Sequence, residues 1–231
     1  MRLTVSDHVA GAAAERCVAV IIDVFRAASV QCYAFAQGAE RIVPVAAEQA
    51  ARDLKQAHPA WLLAGERFGI RLPGFEQGNS PSDIARLDLR GRTLIQTTHA
   101  GTQGLAAARN AQVVLSAALV NAPATARYIR SLAPASVSLV RMGMQGRERT
   151  EEDDVCAQWL SALLTGAPYD TDAIAPRLRA APSAQKFFDA ACDWAPEADF
   201  AHCLALGRFD FALRLEGRDG DLPYLATRDC S

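Results

Sequence analysis

Continuous apolar runs, each followed by a polar turn and a helical pattern, set the rhythm of the first two-thirds of the chain. The segment RCVAVIID (16–23) is apolar at consecutive positions, so it reads as a strand buried on both faces rather than one exposed on alternate sides. The same pattern recurs at RIVPVA (41–46), AWLLAGE (60–66), RTLIQTT (92–98), QVVLSAAL (112–119) and SVSLVRMG (136–143). Pro44 marks the second of these as an edge strand or its tip as a strand end. Helical patterns lie between them: AASVQCYAFAQG (27–38) closed by Gly38, AAEQAARDLKQAH (46–58) stopped by Pro59, and segments starting near Gly101, Asn121 and Thr150. Unbroken strands alternating with helices predict an α/β fold whose central sheet is mainly parallel or mixed and covered on both faces.

Two stretches break the rhythm. RFGIRLPGFEQGNSPSDIARLDLRG (67–91) is rich in Gly and Pro, and an irregular segment of that length in a compact domain is usually functional or disordered. Beyond about residue 167 the chain becomes helical and Pro-broken, through TDAIAPRLRAAPSAQKFFDAACDW and ADFAHCLALGRF. It closes on FALRLEGRDGDLPYLATR, a hairpin expected around Asp219-Gly220. The expected organisation is one domain over 1–231, with a core at about 16–166 and a C-terminal extension at about 167–231.

Charge and cysteine usage narrow the function classes. The formal charge is −2 over 231 residues, with no Lys/Arg block, which gives no support to a nucleic-acid or membrane-surface role. Lysine occurs only at Lys55 and Lys186, so cationic work falls mostly to arginine. The cysteines at 17, 32, 156, 192, 203 and 230 show no C-x-x-C pair and read as free thiols of a reducing compartment. The N-terminal segment lacks a signal-peptide pattern, and no window approaches an 18-residue apolar span, so a cytoplasmic location is expected.

Polar residues gather where the strands end: Asp23 and Arg26, then Glu66 and Arg67, then Thr97-Thr98-His99-Ala100-Gly101-Thr102, then Asn121, then Arg141. In parallel α/β sheets, ligands bind outside the carboxyl ends of the strands. Each group also has a structural reading. Asp23 and Arg26 can form a local ion pair with Asp23 as a helix cap. Glu66-Arg67 can be an exposed loop pair. The threonines can be strand filler and a cap, although Gly101 beside them allows close approach of an anion. TEEDD (150–154) resembles a metal-binding run, yet Thr150 with Asp153 three residues on also has the spacing of a capping box. The four histidines share no ligand spacing, which argues against zinc; only His99 is placed to matter. There is no Walker loop, G-x-G-x-x-G turn, C-x5-R loop or G-x-S-x-G elbow, and Phe25 breaks an aspartyl-phosphate D-x-D start.

Taken in order, IIDVFRA, GERFGIRLPGFEQGNSPSD, TTHAGT, LVNA and EEDDVCAQ resemble the 2-phosphosulfolactate phosphatase family over about residues 16–166. The resemblance implies a three-layer α/β/α fold and a Mg²⁺-dependent phosphatase that cleaves the phosphate ester of a small sulfonated hydroxy acid. It implies Asp23, Arg26, Glu66 and Arg67 as catalytic, and Asp23 with Glu152 or Asp153 as Mg²⁺ ligands. It implies Asn79, Ser80, Thr97, Thr98, Gly101, Thr102 and Asn121 as substrate- and phosphate-binding. The expected partner is a small anionic phosphorylated substrate, with a homodimer as the candidate assembly. Two positions depart from the family pattern: Ala100 stands where an Asn is usual, and Asp83 where Glu is common. Two alternatives stand beside this expectation: the same chemistry on another phosphorylated hydroxy acid, or a non-catalytic anion-binding protein on the same scaffold.

Overall fold

In a computed structural model describing residues 1–217 and 222–229, the chain begins with β1 (Arg2–Asp7) and α1 (His8–Ala14). Strand–helix units follow as β2 (Val18–Ile22), α2 (Ala27–Ala36), β3 (Arg41–Pro44), α3 (Glu48–Ala57) and β4 (Leu62–Arg67). The irregular stretch holds only β5 (Ile70–Arg71) and the single turn α4 (Pro81–Ile84). Next come β6 (Thr93–Thr97), α5 (Gly101–Ala107), β7 (Val113–Ala117), α6 (Ala122–Leu132), β8 (Ser136–Arg141) and α7 (Glu151–Thr165). The C-terminal part carries α8 (Ile174–Arg179), a 3₁₀ segment at Pro182–Phe187, α9 (Glu197–Cys203), β9 (Phe211–Glu216) and β10 (Tyr224–Asp229).

The described strands form one mixed sheet in the order β1-β8-β2-β7-β9-β10-β3-β6-β4-β5. The neighbours β1/β8, β8/β2, β2/β7, β3/β6 and β6/β4 run parallel. β2 is buried at every position and α2 is buried nearly all round, as expected of a strand and helix in the middle of a three-layer α/β/α stack. α1 packs with α5, and α6 with α7, to complete the outer layers. Pro44 closes its strand at the tip, opposite Gln96, and costs no central ladder bond. Among the described residues no helix is long and apolar enough to cross a membrane.

The C-terminal pair has a place its sequence does not indicate. β9 and β10 pair antiparallel from Phe211↔Asp229 to Tyr224↔Glu216, and the expected turn at Asp219-Gly220 lies outside the described residues. β9 pairs β7 and β10 pairs β3, so the hairpin stitches two parallel blocks together at the centre of the sheet. The N-terminal β1 is likewise absent from the sequence expectation. RLTVSD is short and largely exposed on the sheet edge, so it carries no buried apolar run.

Candidate active site

The parallel strands β2, β4, β6 and β8 end on one side, and a cavity of about 150 Å³ opens there. Its wall includes Asp23, Phe25 and Arg26 after β2, Glu66, Phe68 and Gly69 around the β4–β5 turn, Asn79, His99 and Ala100 after β6, and the 143–145 loop after β8. Thr150, Glu152 and Asp153 come from the start of α7, and Ser183, Lys186 and Trp194 from the C-terminal part.

The acidic run at the start of α7 is divided by helical periodicity. Glu151 and Asp154 turn outward, to Arg177 and to Arg141 and Arg149 respectively. Glu152 and Asp153 turn inward and are buried. The capping-box reading does not hold, because Thr150 makes no side-chain capping bond. Asp153 instead accepts from Val24 N at 2.9 Å through Oδ1 and from Gly143 N at 2.8 Å through Oδ2, tying α7 to the ends of β2 and β8. Glu152 Oε2 accepts from Ser183 Oγ at 2.5 Å.

Asp23 Oδ1 accepts from Ala27 N at 3.3 Å, and a side chain on Gly101 would meet Asp23 Oδ2 at 2.7 Å, so only glycine lets the turn after β6 lie against this carboxylate. Glu66 accepts from His99 N through Oε1 and from Gly69 N through Oε2, both at 2.7 Å. It thereby latches the β4–β5 turn to the turn after β6. Gly69 has a φ of +83°, and any Cβ there would run into the Trp194 ring.

Three of the buried carboxylates on this small cavity, Asp23, Glu152 and Asp153, hold a proton more tightly than usual, and burial is the largest cause for each. Burial pushes the Asp23 carboxyl up to about 6, opposed by the Ala27 N–H and reinforced by the charge of Glu66. Asp153 is held well above the carboxylate range by burial, then by Glu152 and Asp23, against the two backbone N–H groups it accepts. Glu152 is raised by burial, with the Ser183 hydroxyl acting the other way. The Lys186 ammonium is pulled down by burial and by the nearby Arg26 guanidinium, while Glu152 and Asp23 push it up.

The expected arginines divide differently. Arg26 lines the cavity, but its guanidinium is an internal strut. Nη1 donates to Asp199 Oδ2 at 2.7 Å and to Trp194 O at 2.8 Å, and Nη2 to Gly69 O at 3.2 Å. Arg67 does not line the cavity; it donates to Glu66 O, Ala46 O and Thr97 Oγ1. Of the expected phosphate-binding residues, only Asn79 reaches the cavity wall, where its Oδ1 is buried without a hydrogen-bond donor. Ser80 caps α4 through Asp83 N and donates to Asp199 Oδ1 at 2.7 Å. Thr97 donates to Ala46 O, and Thr98 and Thr102 bond each other. Asn121 accepts from Ala118 N and donates to Ser116 O, fixing the chain beyond β7. Gly101 serves by close approach to Asp23.

The C-terminal residues of the wall lie outside every sequence motif. Ser183, Lys186 and Trp194 stand in a segment without a recognisable pattern, and their contacts span long sequence separations. One signal is present: in a chain with two lysines, Lys186 stands directly before Phe187-Phe188 in an apolar context.

Among the described residues, no three His, Cys, Asp or Glu side chains converge closely enough to cage a metal ion. A Mg²⁺ site needs less than that, since Mg²⁺ takes one or two carboxylates and keeps water and ligand oxygens in its remaining positions. All-oxygen donors, buried and mutually repelling, fit a hard divalent cation and suit neither Zn²⁺ nor Cu²⁺.

The sequence profile described as 2-phosphosulpholactate phosphatase matches residues 3–216. A Bacillus subtilis protein named probable 2-phosphosulfolactate phosphatase is 30% identical over 209 residues, covering 89% of this chain and 90% of that protein. Proteins of the same name from Deinococcus radiodurans and Gloeobacter violaceus are 37% and 40% identical over 150 and 154 residues. These matches cover 63% and 66% of this chain and 62% and 65% of those proteins.

Proposed function

The chain belongs to the 2-phosphosulpholactate phosphatase family, and from that premise we propose that it hydrolyses 2-phosphosulfolactate to sulfolactate and inorganic phosphate with the help of Mg²⁺. The observation that carries the reading is the ring of Asp23, Glu66, Glu152 and Asp153 around one cavity at the carboxyl ends of the parallel strands. Such a ring repels an anionic ester, and Arg26 is already paired with Asp199. Entry of a substrate bearing phosphate, carboxylate and sulfonate therefore calls for a cation bound among the acids.

Asp23 with Glu152 or Asp153 would hold Mg²⁺. Bound there, Mg²⁺ supplies charge that polarises the phosphate ester and makes a bound water more acidic. The protein supplies the orientation. The Val24 and Gly143 N–H groups fix Asp153, the Ser183 hydroxyl fixes Glu152, and the Ala27 N–H fixes Asp23. Glu66 holds the Phe68–Gly69 turn over the cavity and so limits water there. The unpaired oxygen of Asn79 is a ready acceptor for a substrate or water hydroxyl. The described cysteines are all free, which supports a reducing compartment such as the cytoplasm.

Steady-state phosphate release across a panel of phosphorylated hydroxy acids tests the substrate. The expected result is a kcat/KM for 2-phosphosulfolactate at least about tenfold above that for phospholactate, a lost charge-assisted contact being worth about 1.5–3 kcal/mol. The alternative substrate reading is favoured by Ala100, which lines the cavity where the family turn usually carries an Asn. A panel on which another phosphorylated hydroxy acid turns over fastest would establish that alternative instead.

A further inference from the structure

We infer that Lys186, contributed by the C-terminal segment, is a substrate-contacting residue: its ammonium binds the phosphoryl group, and the segment that carries it is a wall of the active site rather than an appendage. The inference rests on the phosphatase reading for the identity of the anion, and on the geometry below for the site.

Charge commitment separates Lys186 from the other cations nearby. Arg26 is 2% exposed and bonded to Asp199, Trp194 O and Gly69 O. Arg67 faces backbone carbonyls and Thr97 outside the cavity. Lys186 lines the cavity and, among the described residues, its Nζ makes no hydrogen bond and no ion pair. Its contacts are the faces of Phe25 at 5.7 Å and Phe187 at 5.2 Å. The two rings flank the ammonium itself, and its three N–H donors are committed to no acceptor. A largely buried ammonium without an acceptor is a costly arrangement, and an incoming anion supplies the acceptor.

The surroundings also define which end of the substrate meets it. Lys186 feels the charges of both Glu152 and Asp23, two of the acids proposed for Mg²⁺, so an anion that bridges metal and lysine sits between them. The phosphoryl group is that anion on the phosphatase reading, since it is the group the metal would polarise and it carries more charge than the carboxylate or sulfonate. The segment is anchored at several points. Ser183 Oγ bonds Glu152 Oε2, Trp194 O accepts from Arg26, and Asp199 Oδ1 collects Ser80 Oγ, Ser82 Oγ and Ser82 N. Thus the Asn-Ser-Pro loop and the turn after β2 are both tied to the C-terminal part.

The test compares wild type, Lys186→Met and Lys186→Arg in the full chain, by calorimetric titration with inorganic phosphate in saturating Mg²⁺ and with Mg²⁺ alone. Turnover of 2-phosphosulfolactate is measured in parallel. Met keeps an unbranched side chain beside the rings and removes the charge, so phosphate should bind at least about tenfold more weakly. Mg²⁺ alone should bind as tightly as before or tighter, because a neighbouring positive charge is gone. Arg should recover much of the phosphate affinity. Opposed effects on phosphate and Mg²⁺ are what a purely structural role cannot produce. Phosphate affinity of Lys186→Met within about twofold of wild type overturns the inference, as do parallel losses of phosphate and Mg²⁺ binding and a wild type that takes up no phosphate. A wild type that binds phosphate through Lys186 yet leaves 2-phosphosulfolactate intact supports the lysine site and refutes the substrate. A wild type that turns over while Lys186→Met matches it does the reverse.

Discussion

Asp23→Asn removes a buried charge while nearly keeping its shape, and its effect on stability should change sign with pH. The Asp23 carboxyl rises from 3.8 to about 6 on folding. At about 1.4 kcal/mol for each tenfold in proton affinity, that is roughly 3 kcal/mol by which the folded protein resists ionising Asp23. Asn escapes this cost and keeps the Ala27 N–H bond through its own oxygen. It loses about 1 kcal/mol where its NH₂ faces the Gly101 N–H that steadies the carboxylate. The net gain at pH 7.5 without metal is therefore about 2 kcal/mol, or roughly 4–8 °C for a chain of this size. The sign follows from linkage. A carboxyl whose folded pKa is raised makes the folded state bind more protons than the unfolded chain between 3.8 and about 6, so wild-type stability falls as pH climbs through that window. Near the bottom of that window, at pH 4, the advantage of Asn has shrunk to about 0.5 kcal/mol, leaving the variant about 0.5 kcal/mol less stable than wild type. Urea unfolding in excess chelator at pH 7.5 and pH 4 measures both numbers. A variant that is less stable at both values, or equally more stable at both, refutes the buried-charge reasoning.

Four further substitutions test neighbouring parts of the site. Glu152→Gln preserves an acceptor for Ser183, so its metal-free melting temperature should equal or exceed wild type. Asp153→Asn offers one oxygen to the two N–H groups of Val24 and Gly143, and should melt lower by the equivalent of about 1–3 kcal/mol before charge relief. Both should lose Mg²⁺-dependent turnover, and equal thermal shifts of the two variants would contradict the assigned hydrogen bonds. Asp199→Ala should cost about 3–5 kcal/mol in urea unfolding, because it strands Arg26 and three donors from Ser80 and Ser82. Arg67→Lys should leave kcat/KM within about threefold of wild type, as its guanidinium is bonded to Ala46 O and Thr97 Oγ1 and does not line the cavity; a larger loss would return Arg67 to the reaction.

What could be read in the sequence is what physics writes locally. The strand cores Val18–Ile22, Thr93–Thr97 and Val113–Ala117 are legible because a strand buried on both faces must be continuously apolar. The acids 23, 66, 152 and 153 are visible because carboxylates at strand ends and at a helix start interrupt such runs, and all four line the cavity. The roles of Ser80, Thr98, Thr102 and Asn121 are not visible. A hydroxyl or amide that caps a turn and one that holds a ligand look identical in sequence, and here they cap and brace. The C-terminal contribution is hidden for another reason. Arg26 meets Asp199 across 173 positions, and β9–β10 enters the sheet between strands that lie far earlier in the chain. Periodicity carries no information about such pairings.

The most direct test of the central claim is phosphate release from 2-phosphosulfolactate by wild type, with Mg²⁺ and again after chelation, beside Asp23→Asn under the same conditions. Sulfolactate and phosphate should appear in equal amounts with Mg²⁺, should stop on chelation and resume on Mg²⁺ readdition, and should be at least about a hundredfold slower in Asp23→Asn. Full turnover in excess chelator, or an Asp23→Asn variant as fast as wild type, would contradict a metal-assisted phosphatase built on this ring of acids.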